Sequence, residues 1–216
     1  MDQPKKRKFT CPHCKSEEQF SVWESVNVTL QPSLKNQVLT RGLGNFTCSN
    51  CGRGVWVGHP IHYHDVARKL MIWFPFEEPK KPPIAEGSMV MKLMVNGGYA
   101  FRIVNSFNEL IEKIRIFDDG RDDRALELLK LVSVTQPQTP ADQKVFYDGI
   151  VDKGNEKAVR LAVVKKEGKT VCEVPVTELQ KQTALVTQAA VTEGEKGTWL
   201  CVDQNYASAL LKRSAP

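Results

Sequence analysis

The hydrophobic positions of this chain change period several times, and each change marks an element. Phe20, Val22 and Glu24 alternate with Ser21, Trp23 and Ser25, the two-residue period of a strand. Val26 to Leu30 continues in β-prone residues. From Pro32 the spacing turns helical, with Leu34, Val38 and Leu39 on one side; Pro32 suits a first turn and Gly42 a C-terminal cap. Asn45-Phe46-Thr47 and Val55-Trp56-Val57 are extended again. Along Ile61 to Asp65, His62 and His64 share one strand face, with Tyr63 and Asp65 on the other. The apolar run Leu70 to Phe74 follows. Four prolines between Pro75 and Pro83 then stop helix and sheet alike.

Beyond that hinge, Met89 to Val95 fits a short helix closed by Gly97 or a strand turning at Asn96-Gly97-Gly98. Tyr99, Phe101 and Ile103 alternate as a strand. Ser106-Phe107-Asn108-Glu109 is a capping box, and Phe107, Leu110, Ile111, Ile114 and Phe117 form one apolar stripe behind it. Asp118-Asp119-Gly120 ends that helix. Asp122 and Asp123 complement the dipole of a second, whose stripe is Ala125, Leu128, Leu129 and Val132. Those four aspartates lack the ligand ladder and closing Glu of a calcium loop, so they read as caps. Thr135 to Pro140 has linker composition. Strands are expected at 145–151, 158–164, 169–174 and 198–202, with a helix from Val176 to Gln188. Asp203 caps a terminal helix with Tyr206, Ala209 and Leu210 on its apolar side.

Four cysteines carry the chemistry. Cys11-Pro12-His13-Cys14 and Cys48-Ser49-Asn50-Cys51 each separate two sulfurs by two residues, the spacing at which a tight turn aims both at one point. Two such turns surround one tetrahedral Zn²⁺ with four thiolates. Gly52, just past the second pair, is free to take the left-handed conformation that turns amides toward sulfur. Lys15 stands at the matching place after the first pair, where closure is expected to be less ideal. The 33 residues between the pairs exceed a minimal ribbon, and the short helix after Pro32 accounts for them. The expected fold is α+β: a zinc-ribbon-like β module with an inserted helix, then a helical pair, then a small C-terminal α+β domain. The expected division is residues 1–134 (zinc module 9–75, hinge 76–88, strand and two helices 89–134), linker 135–140, and residues 141–216.

Composition narrows the picture. A chain of 216 residues with 41% apolar content buries a real core, and no apolar run approaches the ~18 residues that span a bilayer. The basic start has no apolar stretch behind it, so it does not read as a secretory signal. Six cysteines, four in metal-type pairs, point to a reducing cytoplasm. Cys172 and Cys201 stand alone in apolar stretches and read as small core residues. Residues 1–75 hold ten Lys/Arg against five Asp/Glu, while residues 76–216 hold twenty of each. Four of those positives form the block Lys5, Lys6, Arg7 and Lys8. As a flexible arm it offsets the charge of a zinc–thiolate centre or touches phosphate. His59, His62, His64 and Asp65 form the remaining polar cluster. It lacks a nucleophile or separate acid motif, and is expected to hydrogen-bond within a sheet.

The two cysteine turns, together with Tyr63-His64-Asp65, Phe101-Arg102-Ile103-Val104, Asn108 to Ile114, Phe117-Asp118-Asp119-Gly120 and Asp122-Asp123-Arg124, resemble the CpXC family over roughly residues 7–131. Ser49 stands where that family's second turn has proline, a change that leaves the sulfurs untouched. The resemblance implies zinc and a prokaryotic cytoplasm, and supplies no substrate. The expected role is a non-catalytic, zinc-stabilised cytoplasmic adaptor with a protein partner and no membrane. A weak nucleic-acid binder using the basic arm is the first alternative, and a hydrolase using His62 and His64 the second.

Overall fold

The computed structural model describes residues 3–76, 81–133, 143–189, 195 and 197–214. In chain order the strands are β1 (Lys5–Thr10), β2 (Glu17–Val22), β3 (Ser25–Asn27), β4 (Asn45–Thr47), β5 (Gly54–Trp56), β6 (Ile61–Asp65), β7 (Leu70–Phe74), β8 (Ala100–Ile103), β9 (Lys144–Asp152), β10 (Lys157–Lys165) and β11 (Gly168–Pro175). The helices are α1 (Ser33–Leu39), α2 (Met89–Asn96), α3 (Phe107–Asp118), α4 (Asp123–Ser133), α5 (Val176–Gln188) and α6 (Gln204–Ser214). The mixed α+β class follows the sequence pattern. No helix among the described residues is long and apolar enough to cross a membrane.

The chain divides into two compact units, Met1–Ser106 with Gly197–Trp199 and Phe107–Lys196 with Leu200–Pro216. In the first, hairpins β1–β2 and β4–β5 carry the cysteine turns, and a four-stranded sheet of order β3-β6-β7-β8 takes β3 from between the hairpins and its other strands from beyond them in sequence. Strand β7 is buried at all five positions, the mark of a strand covered on both faces. Met89 to Val95 resolves as helix. Ser88 caps it by accepting the Met91 amide at 3.2 Å, and Met91 packs with Met71, Trp73, Phe101 and Trp199. Helix α1 ends differently from expectation: Arg41, not Gly42, takes the left-handed conformation, at φ 60°.

The basic block is not a flexible arm. It is strand β1, paired with β2 in the register Lys5↔Val22 through Thr10↔Glu17. Alternation puts Lys5 and Arg7 on the face that carries Phe9, where both pair with the Glu24 carboxylate, Lys5 at 2.8 Å while still exposed. Lys6 and Lys8 stand on the opposite face.

The second unit sets helices on a three-stranded antiparallel sheet of order β11-β10-β9. One buried cluster joins Ile116 of α3 and Ala125, Leu126, Leu128 and Leu129 of α4 to Tyr147, Val159 and Leu161 of the sheet. The helical pair therefore belongs with the C-terminal strands, and the unit starts at Phe107 rather than at 141. The linker expected at 135–140 lies outside the described residues, as do positions 77–80 of the hinge. No strand forms over 198–202. Trp199 instead sits in the first unit, donating from its indole to the Ile84 carbonyl and from its amide to Glu86, each at 2.9 Å. In α6, Ala207 and Leu210 are buried while Ala209 is exposed. Likewise Val132 of α4 is 54% exposed.

Beneath α3 and α4 lies a set of charges that a helical wheel assigns to solvent. Glu112, Lys113, Asp123, Glu127 and Lys130 are all buried. Lys113 pairs with Asp123 at 3.2 Å and Glu127 at 3.3 Å, and donates to the Val202 carbonyl at 2.6 Å. Lys130 pairs with Glu112 at 2.6 Å and Glu127 at 2.8 Å. Each lysine is held charged: burial opposes the charge, and the surrounding carboxylates more than offset it.

Candidate metal centre

Each cysteine turn is built by a hairpin. The Lys15 amide donates to the Cys11 carbonyl at 2.9 Å, and the Cys11 amide to Ser16 O at 2.9 Å. The second turn repeats both bonds: Gly52 to Cys48 at 2.9 Å, and Cys48 to Arg53 at 3.0 Å. Gly52 sits at φ 68° and Lys15 at φ 63°. Lysine thus adopts the conformation that glycine takes at no steric cost, and the two closures are equivalent, contrary to the expectation for Lys15.

The hairpins meet through their inner faces. Phe9 and Phe20 from one, and Phe46 from the other, form a triad with ring centroids 5.7–5.9 Å apart. This small core holds the turn tips together. There Cys11, Cys14, Cys48 and Cys51 place all four sulfurs within 4.8 Å of one another. Cys11 Sγ lies 3.8 Å from Cys51 Sγ, and Cys14 Sγ 3.6 Å from Cys48 Sγ. A tetrahedron with metal–sulfur bonds of about 2.3 Å requires sulfurs about 3.8 Å apart. The residues fit a tetrahedral thiolate-bound ion.

Neighbouring groups favour the thiolate at Cys14. The Ser16 hydroxyl lies 3.1 Å from Cys14 Sγ and 3.4 Å from Cys48 Sγ. That hydroxyl first, then the Asn50 side chain, hold the Cys14 thiol down at about 5. Cys51 is pushed up to about 11: the Arg53 amide pulls it down, and desolvation and the other three sulfurs outweigh that pull. Four thiolates this close repel one another, and a shared cation removes the conflict. Glu18 accepts the Ser49 hydroxyl at 2.7 Å and closes over Cys48 at 3.5 Å. Ser49, in the place of proline, thereby ties the second turn to strand β2. Cysteine spacing alone does not single out Ser16 and Glu18, whose signal is their position just beyond Cys14, or the contact of Ser49, which stands inside the second turn.

The other sequence candidates do not converge. Among the described residues, the four cysteines are the group of His, Cys, Asp and Glu side chains that suits a metal. His62 and His64 share a face of β6 as the alternation requires, while Tyr63 and Asp65 are buried on the other. His59 is buried, with its ring nitrogens 3.2 and 3.3 Å from the Val57 and Trp23 carbonyls. His64 reaches Asn27 at 3.4 Å and the Tyr99 hydroxyl at 3.3 Å, and the His62 ring meets Trp199 edge-on at 6.2 Å. Asp65 pairs with Lys35 at 3.1 Å. Cys172 packs against the second core, and Cys201 contacts Asp203 at 3.7 Å.

No curated protein and no solved structure matches the chain. A family model described as CpXC protein matches residues 9–130, a span that holds both cysteine turns, α3 and most of α4. That span exceeds half of the 216 residues, and with the four-cysteine centre inside it the chain belongs to the CpXC protein family.

Proposed function

We propose that this protein is a non-catalytic binding module whose N-terminal hairpins are held together by one structural zinc ion on Cys11, Cys14, Cys48 and Cys51. The observation that carries the reading is the convergence of all four sulfurs within 4.8 Å, with two of their separations at 3.6 and 3.8 Å. Four thiolates saturate such an ion and leave no position for water or substrate. Zinc is favoured because an all-sulfur tetrahedral set suits it, the other common occupant of that geometry being iron. A saturated site stabilises a surface rather than a transition state, so the role belongs to what the surface binds.

A protein is the favoured partner. Nucleic acid fits less well, since Lys5 and Arg7 are engaged by Glu24. Lys6 and Lys8 lie on the side of β1 away from Phe46, so they do not share a face with the exposed Trp56 of β5. Metal analysis of native protein tests the proposal. One zinc per chain is expected, and Cys48→Ser is expected to release it and to collapse the amide dispersion of residues 5–57. Structural zinc in finger peptides contributes an apparent ~10–16 kcal/mol, so its loss outweighs the hairpins' small aromatic core. Native protein without stoichiometric metal, or holding iron instead, would overturn the zinc assignment.

A further inference from the structure

The three-stranded sheet of the second unit has two edges, and they are built differently. Along β9, the register shifts opposite Arg160 and Leu161, leaving Asp148 unpaired between Tyr147 and Gly149. Gly149 takes φ 135° there, and Asp148 is held by Arg115 at 3.0 Å. A bulge of this kind twists an edge away from further pairing. Strand β11 has no such interruption. Its eight residues pair with β10 without a shift, from Lys165↔Gly168 to Ala158↔Pro175, and among the described residues no strand covers its outer edge.

The sheet face turned away from the second unit's buried core is partly apolar. Phe146, Ala162 and Val171 form one row across it, and Val171 at the open end is 54% exposed. On either side of Val171 along the same face stand Lys169 and Glu173, two residues away in each direction; Glu173 also pairs within its own chain with Lys153 and, at 3.4 Å, with Arg160. A valine centred on an open edge between a cation and an anion is self-complementary.

We infer that β11 pairs antiparallel with β11 of a second copy of this chain, about a two-fold axis through Val171. A continuous sheet keeps like faces together only when the axis passes through a residue rather than between two. Of the central choices, an axis through Thr170 sets Lys169 against Val171, and one through Cys172 sets Val171 against Glu173. An axis through Val171 sets valine on valine and opposes Lys169 to Glu173 of the second copy, twice. The apolar row then runs unbroken from Phe146 through both valines to Phe146 of the second copy. Isologous pairing of this kind closes after two subunits and leaves the bulged β9 edges outermost. One eight-residue strand pair belongs to the small class of interfaces, below about 1,200 Å², so the dimer is weak and concentration-dependent. The inference rests on the second unit alone and stands apart from the metal.

Sedimentation velocity on the full, metal-loaded chain tests it, together with amide exchange along β11. The wild type is expected to shift from monomer to dimer as concentration rises, with the β11 amides exchanging more slowly in the dimer. Val171→Lys places like charges on the axis, and Lys169→Glu sets Glu against Glu173 of the second copy. Both changes are on the exposed face, and each is expected to raise the dimer Kd about tenfold or more with the thermal transition unchanged. A wild type that stays monomeric to about 1 mM overturns the inference. So does a dimer that forms equally well in both variants, or one whose β11 exchange does not change. In the last two cases another surface is used, such as the exposed Met89, Val90 and Leu93 of α2.

Discussion

Lys113→Met is expected to destabilise the second unit more than any exposed substitution in it. The lysine is 2% exposed and its ammonium serves three acceptors: Asp123, Glu127 and the Val202 carbonyl. At an effective dielectric of about 20, each ion pair at this separation attracts by roughly 5 kcal/mol before desolvation is counted. Desolvation offsets most of that, so the intact network adds little net stability. Removing one partner is different, because Asp123 at 0% exposure and the buried Glu127 both lose the ammonium they share. Breaking a buried pair in this way costs about 3–5 kcal/mol, against a typical total of ~5–15 kcal/mol. For a unit of this size the melting temperature should drop by roughly 15 °C or more. The assay is denaturant unfolding of Lys113→Met, of Asp123→Asn, and of the double variant. The double variant should lose less than the sum of the two singles, because the Lys113–Asp123 pair can be lost only once. A single-variant loss below about 1 kcal/mol, or strict additivity, would refute the claim that these charges depend on one another.

Two further outcomes follow from the geometry. Burial pushes the Asp65 carboxyl up, but Lys35, the Arg68 amide and the Tyr63 hydroxyl more than offset this and hold it below the ordinary value. Its contribution to the first unit is therefore complete above pH of about 3.9 and lost as pH falls through the folded value; Asp65→Asn should lower stability at neutral pH by about 1–3 kcal/mol and flatten the acid limb in calorimetry. A fragment of residues 141–216 should show no cooperative thermal transition, because it lacks Ile116, Leu126, Leu128 and Leu129 from the core it would need, whereas a fragment starting at residue 107 should show one.

What could be read from the sequence depended on how local its cause was. Two residues between cysteines, a capping box ahead of Phe107 and the two-residue alternation of Ile61 to Asp65 are satisfied within a turn or a strand, and all three elements stand where those patterns put them. Even there, Lys15 shows that the cysteine turn dictates the backbone and the residue complies: a non-glycine at φ 63° is tolerated because hairpin and turn over-determine it. The division of the chain was not local. The pattern treats Glu112, Lys113, Glu127 and Lys130 as a solvent face, which leaves α3 and α4 with one apolar stripe each and makes a boundary after residue 134 reasonable. Once those charges neutralise one another, both helices can be buried on two sides, and the second side is what the C-terminal sheet covers. One trace of this was present. On α4, Asp123, Glu127 and Lys130 recur at i, i+4 and i+7, interleaved with Ala125, Leu126, Leu128 and Leu129, so no side of that helix is free of either charge or apolar bulk. A helix patterned in this way either stays exposed and loses its apolar burial, or finds opposite charges on a neighbour. The adjacent Glu112-Lys113 of α3 supplies them, and with those charges paired, Ala125, Leu126, Leu128 and Leu129 are packed into the core of the C-terminal sheet, which sets the unit the two helices join.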